Sequence, residues 1–461
     1  MSHLSAAAVP APRPRGGVWR RFLPALLLAA TAVCGSPASA AVFPYAYTKE
    51  VLPNGLTVIV VPMESPGVVA YYSIVRTGSR DEVEAGKSGF AHFFEHMMFR
   101  GTAKYPSDAY EAIITRMGAS TNAFTTDDLT AYHLLFGKED LAQVMEIESD
   151  RFQNLAYSEQ AFQTEAGAIY GEFRKNITSP FSLLNEKMQD LAYDVHTYKH
   201  TTMGFEADIK AMPQGFEYSR SFFNRFYRPD NVVLLIVGDV EPTPTLALVR
   251  RYYGAWKPGY VPPRVQPEPP QRGERTGEVT YPGKTLPILD IAYKGESFQP
   301  NDREYVAALL IEELAFGETS ELHKKLLIQE QKVQMLGASV PMNRDQPLFE
   351  IYAMVKKPED VGYVRDEVYR TLETFQRTPV DTKRLEDLKR RNKYSFLMSL
   401  DTPDAVARGL ARLLALTGDL SSIEMLYAQM ENLTPADIQR AAQTYFTPER
   451  RTVVVLKGAK S

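Results

Sequence analysis

Cysteine is almost missing from this sequence, and its one thiol, Cys34, lies in a segment expected to be removed. Without it the chain can form no disulfide and no thiolate zinc site, so stability must come from burial, for which roughly 420 residues suffice. There is no surplus of positive charge: 52 Lys and Arg against 56 Asp and Glu leave a net charge of −4, which excludes a broad basic surface for nucleic acid. The one basic cluster, Lys389-Arg390-Arg391-Asn392-Lys393, falls in a helical pattern with interleaved acids and reads as a solvated face. No hydrophobic run reaches the ~20 residues needed to span a bilayer, so no stable membrane insertion is expected. Histidine is scarce too, seven in 461 residues.

Two of those seven stand in Gly89-Phe90-Ala91-His92-Phe93-Phe94-Glu95-His96, which contains H-x-x-E-H, the zinc-peptidase motif H-E-x-x-H read in the opposite direction. On a helix His92 and His96 lie one turn apart on one face, where two imidazoles can hold one Zn²⁺. Glu95 is close enough to that face to serve water without being a ligand. The competing reading is a core helix with two satisfied histidines. A catalytic zinc takes three protein ligands and leaves a fourth position for water, so a third ligand must come from elsewhere.

The first forty residues read as a secretory signal. Arg13, Arg15, Arg20 and Arg21 precede the apolar run Phe22 to Val33, and Ala38-Ser39-Ala40 is an A-x-A cleavage site before Ala41. Val33 stands where lipoprotein processing at Cys34 would need a small residue. The expected product is exported, to the periplasm if the source is Gram-negative.

Beyond the signal, Leu52-Pro53-Asn54-Gly55-Leu56 is a turn, and Thr57–Val61 and Val68–Val75 are β-rich runs. Ser107 is placed to cap a helix through Met117, Leu129–Phe136 reads as a strand, and Lys138–Ala156 as a helix. Ser158 caps a helix through about Lys175, and Val232–Val237 reads as a buried strand. Six prolines between Pro258 and Pro270 mark a stiff linker, residues 258–277, between domains at 41–257 and 278–461.

The second half repeats the plan. Ile288–Tyr293, Val333–Val340, Leu348–Val355 and Thr452–Leu456 read as strands, and Asp302–Ala315 and Ser320–Gln331 as helices. Tyr227-Arg228-Pro229 before one terminal strand matches Phe446-Thr447-Pro448 before the other, a period near 219 residues. The copy of the motif helix then falls near Leu309–Phe316, which holds Glu312-Glu313 and no histidine, so no metal is expected in the second half.

Glu165 and Glu172 lie two turns apart on the helix after Ser158, and from pattern either could face the metal or neither. Taken with H-x-x-E-H, they make the chain resemble the pitrilysin/insulinase family of zinc metallopeptidases, to which the mitochondrial processing peptidase belongs. The 75 residues between His96 and Glu172 match the family's spacing. Further matches are Leu52-Pro53-Asn54-Gly55-Leu56, Gly78-Ser79-Arg80-Asp81-Glu82, Phe99-Arg100-Gly101-Thr102, Tyr105-Pro106, and Asn122-Ala123-Phe124-Thr125 with Asp128, Thr130 and Tyr132.

The resemblance implies an α+β fold of two homologous domains, each a mainly antiparallel sheet with helices packed on it, enclosing a chamber for unfolded peptides. It implies one zinc per chain held by His92, His96 and Glu172, with Glu95 as general base and Glu165 orienting a ligand. Asn122 and Ala123, with Phe124 nearby, would lie at a sheet edge where a peptide substrate adds as a strand.

The family's second half supplies an Arg and a Tyr seven residues apart that bind the substrate carbonyl, after a lead-in recognisable here as Gly317, Ser320 and Leu322. At their positions stand Leu327 and Gln334. The expectation is the zinc-bearing chain of a heterodimer whose homologous partner carries the Arg/Tyr pair. The alternatives are a non-catalytic assembly subunit and a self-sufficient homodimeric peptidase.

Overall fold

The computed structural model describes residues 41–459. The signal peptide expected at 1–40 lies outside the described residues. Among them no helix is long and apolar enough to cross a membrane.

Among the described residues eleven strands form two sheets. β1 (Thr48–Val51), β2 (Thr57–Pro62), β3 (Val68–Val75), β4 (Ser120–Thr125), β5 (Thr130–Gly137) and β6 (Val232–Gly238) lie in the order β1-β2-β6-β3-β5-β4. β7 (Arg275–Tyr281), β8 (Ile288–Lys294), β9 (Val333–Ser339), β10 (Leu348–Val355) and β11 (Arg451–Gly458) follow the order β7-β11-β8-β10-β9. Without β1 the first order becomes the second when β2, β6, β3, β5 and β4 are read as β7, β11, β8, β10 and β9. The pairing agrees: β2–β6 and β7–β11 are parallel, and the remaining pairs are antiparallel. The fold is α+β, with the strand plan present twice.

Each sheet is covered on both faces, and the central strands β6 and β8 are buried along their whole length. The front of the first sheet carries α1 (Phe90–Met97), α2 (Ser107–Met117), α3 (Leu141–Asn154) and α4 (Glu159–Asn176) over one core, which includes Val58, Tyr71, Tyr132 and Leu234. Its back is covered from the other half of the chain. Ile59, Tyr72, Ile74, Leu235 and Val237 meet Val406, Leu410 and Leu414 of the helix Pro403–Thr417. The second sheet is covered reciprocally: Ile288, Ala292, Val454 and Leu456 meet Leu184 and Met188 of α5 (Pro180–Ala192). The halves exchange helices.

The proline-rich segment contains no helix or strand from Gly254 to Glu274, and its expected last residues belong to β7. Proline is not all that holds it. Asp230 accepts from the backbone N–H of Gly259 and Tyr260. Glu268 accepts from Asp194, Val195 and His196 and pairs with buried Lys294 at 2.6 Å.

Ser158 caps α4 as expected, accepting from Ala161 N–H. Ser107 does not cap α2: it is the first helical residue, with Pro106 before it and no side-chain cap. β4, Ser-Thr-Asn-Ala-Phe-Thr, lacks the apolar density that marks strands, and its existence comes from pairing with β5.

Candidate metal centre

α1 is short, and tertiary packing holds it. Gly89 before it adopts φ 92°, and a Cβ there would meet Met203 O at 2.7 Å. Glu82 caps the open N-terminus, accepting from Gly89 N–H at 2.7 Å and Ala91 N–H at 2.6 Å. Phe93 packs on Phe162, Phe94 stacks on Phe222, and Phe90 meets Tyr218 edge-on. Burying three such rings contributes about 1.5–3 kcal/mol each. Tyr132 donates to Phe94 O at 2.9 Å, tying the helix to β5. The face left over carries His92, Glu95 and His96.

α4 crosses that face. His92 Nε2 lies 3.6 Å and His96 Nε2 3.4 Å from the same oxygen, Glu172 Oε2. All three ligating atoms fall within 4.8 Å of one another. Ligands about 2.0–2.1 Å from a tetrahedral centre stand roughly 3.3–3.4 Å apart, so the set fits one zinc with two imidazoles and a carboxylate. Among the described residues it is the one group of His, Cys, Asp and Glu with this geometry.

The two histidines are held differently. His96 Nδ1–H donates to Glu165 Oε1 at 3.0 Å, and Glu165 Oε2 accepts from Arg100 Nε at 2.6 Å and from Arg100 Nη2. The bond to Glu165 raises the pKa of the His96 imidazole. Burial pushes the Glu165 carboxyl up, but the bonds from His96 and Arg100 outweigh it and hold the carboxyl below its ordinary value. His92 is buried, which lowers its pKa, and its Nδ1 has no hydrogen-bond partner among the described residues. Packing alone orients it.

Glu95 Oε2 accepts from Thr125 Oγ1 at 2.7 Å, which ties it to β4. β4 is an edge strand, paired with β5 alone. On it Asn122 is exposed, Ala123 buried opposite Tyr132, and Phe124 half-buried against the back-face core. The structure thus gathers Glu95, Glu165, His92, His96 and Glu172 at one place and puts Asn122, Ala123 and Phe124 on the neighbouring edge. Leu327 packs half-buried on the second core, and Gln334 is exposed on β9.

The sequence by itself assigns no role to Arg100 or Thr125. Arg100 had a signal, four residues after His96 on one helical face, but it lies past the last residue of α1 in a 3₁₀ turn (Met98–Arg100). Thr125 stands in the Asn122–Thr125 match, but nothing in the sequence links it to Glu95, because that contact depends on where β4 lies.

Residues 62–206 match the insulinase (peptidase family M16) model, and residues 216–392 match the M16 inactive-domain model. The zinc protease PqqE of Helicobacter pylori is 28% identical over 411 residues, covering 88% of this chain and 91% of the relative. A probable mitochondrial-processing peptidase subunit beta of Schizosaccharomyces pombe is 25% identical, covering 85% and 87%. The crystal structure of a protease from Helicobacter pylori superposes with a TM-score of 0.84 at 27% identity, over 90% of this chain and 99% of that one. With both family models matching in succession on the expected fold, the chain belongs to the M16 (insulinase) family of peptidases.

Proposed function

We propose that the protein is a zinc-dependent endopeptidase acting on peptides or unfolded segments, and that it works with a homologous partner. The observation that carries this reading is the convergence of His92, His96 and Glu172 within 4.8 Å, beside Glu95 and an unpaired strand edge. His92, His96 and Glu172 would hold one zinc. Zinc bound there would supply Lewis acidity, lowering a water's pKa towards about 7 and polarising the scissile carbonyl.

The chain's own residues do the rest. Glu95, held by Thr125 through Oε2, takes the proton from the attacking water and passes it to the leaving amine. Glu165 keeps the His96 ring turned with Nε2 inward. β4 offers main-chain groups to an extended substrate at Asn122, Ala123 and Phe124, which favours peptides with little sequence demand. Leu327 and Gln334 offer no cationic or phenolic donor for the developing oxyanion, so that donor comes from a partner bearing the Arg/Tyr pair, across a chamber between paired chains. The exported compartment follows from the signal read in residues 1–40.

The test is zinc content together with peptide cleavage, on the chain alone and mixed with an Arg/Tyr-bearing homologue. One zinc per chain is expected, with Glu172→Gln sharply weakened in affinity. Mixing should raise cleavage about 10²–10³-fold, and a Tyr→Phe change in the partner should remove much of that gain. A chain that binds no zinc refutes the metallopeptidase reading. A zinc-loaded chain as active alone as in the mixture refutes the need for a partner.

A further inference from the structure

His92, His96 and Arg100 follow one another at four-residue intervals, and Glu172 and Glu165 at seven. The two rows run antiparallel: His92 and His96 face Glu172, then His96 and Arg100 face Glu165. We propose that Arg100 is a positioning residue of the metal centre, fixing the His96 ring through Glu165. This rests on the zinc reading above.

The Glu165 side chain is 4% exposed, whereas that of Arg100 is 45% exposed, so the guanidinium reaches in from the surface to neutralise a carboxylate that water cannot. It engages the carboxylate with two N–H groups, both on Oε2. That leaves Oε1 for His96 Nδ1–H, which presents the Nε2 lone pair to the metal. With both oxygens committed, Glu165 does not compete with Glu172 as a ligand.

The backbone that carries Arg100 is held as well. Gly101 turns at φ 88°, where a Cβ would meet Tyr105 O at 2.5 Å, and it bridges Pro106, while Thr102 bridges Leu155. Among the described residues no such relay reaches His92 Nδ1, so hydrogen-bonded control of a ring falls on His96 alone, and packing holds His92.

The experiment measures zinc affinity of the full chain by competition with a chromophoric chelator, for wild type, Arg100→Met, Arg100→Lys, Glu165→Gln and the Arg100→Met/Glu165→Gln double variant. Thermal melts of the zinc-free forms run alongside. Arg100→Met should weaken zinc about 10–100-fold, the range for loss of a group that orients a ligand. Arg100→Lys, which keeps the charge but not the fork, should recover most of that. The double variant should bind no worse than Glu165→Gln, because Arg100 acts only through Glu165. Arg100→Met within about threefold of wild type overturns the proposal, as does a cost that adds in full to that of Glu165→Gln, or a loss of affinity only in proportion to lowered melting. A wild type that binds no zinc overturns the zinc reading and this proposal together. Normal wild-type binding with an indifferent Arg100→Met removes this proposal alone.

Discussion

α1 follows β3 in the first sheet, and the helix Arg303–Ile311 follows β8 in the second, in the place the duplicated strand plan assigns it. α1 ends in a tight 3₁₀ turn, Met98–Arg100, whereas the second helix widens into a π-helical turn, Glu312–Phe316. A turn closed from i to i+5 no longer stacks i over i+4, the spacing on which two histidines and one metal depend. The wide turn carries Glu312, pushed up to about 7 by burial and by neighbouring Glu313, and Glu313 pairs with Arg391 at 2.7 Å. One strand plan therefore supports two different helix ends. The two halves differ in the winding and side chains of this helix, while the sheets serve as a common frame.

That frame is shared in a second sense, because each half lends the other a helix. The largest effect that would break the comparison is separation of the halves. Residues 41–257 expressed alone should fail to fold, since the back of the first sheet needs Leu410 and its neighbours; coexpression with 258–461 should recover a soluble complex. A fragment 41–257 that melts cooperatively on its own would show that the halves are independent domains.

Next in size is the contrast between the two helices. Glu95→Gln should lower peptide turnover about 10²–10⁴-fold with zinc content unchanged, measured by cleavage and metal analysis of the same sample. Retention of a tenth or more of wild-type activity would remove Glu95 as the base.

Smaller is the cost of thinning the exchanged helix. Leu410→Ala leaves a cavity against β3 and β6 and should destabilise the whole chain by about 2–5 kcal/mol in denaturant unfolding. Loss confined to the second half would contradict the exchange.

The smallest effect concerns the polar seam. Asp345, on the β9–β10 loop, accepts from Arg80 Nε at 2.6 Å and His196 Nε2 at 2.9 Å. Burial pushes its carboxyl up, but these partners outweigh it and hold the pKa at about 2, below the ordinary 3.8. A carboxylate depressed in the folded state adds stability above its unfolded pKa and loses it as pH falls through the folded one. Asp345→Asn should cost about 1 kcal/mol near neutral pH, the modest size expected of a part-exposed pair. The gap between variant and wild type should close between about pH 4 and pH 2, as followed by thermal melts.

Several features were legible in the chain itself because they depend on near neighbours. The interval from His92 to His96 puts two rings on one helical face whatever surrounds it, and Ser158 meets an N–H three residues on. The apolar run Val232–Val237 forms a strand in keeping with its short length, its β-branched residues and the glycine that ends it. Resemblance then singled out Glu172 from Glu165, which spacing alone left open.

What stayed hidden depends on groups distant in the chain. β4 is a strand only because β5 lies beside it, and Thr125 reaches Glu95 only from there. The exchange of α5 and the helix Pro403–Thr417 left no mark in the proline-rich segment between the halves. By itself the sequence determined the helical face shared by His92 and His96, the cap of α4 and the repeated order of strands, the first two set by near neighbours and the third by apolar patterning in each half. Only the tertiary structure decided that Glu172 closes on both histidines, that Glu165 and Arg100 stand behind one of them, and that each sheet is finished by the other half, because those outcomes depend on burial shared between segments that the chain alone does not bring together.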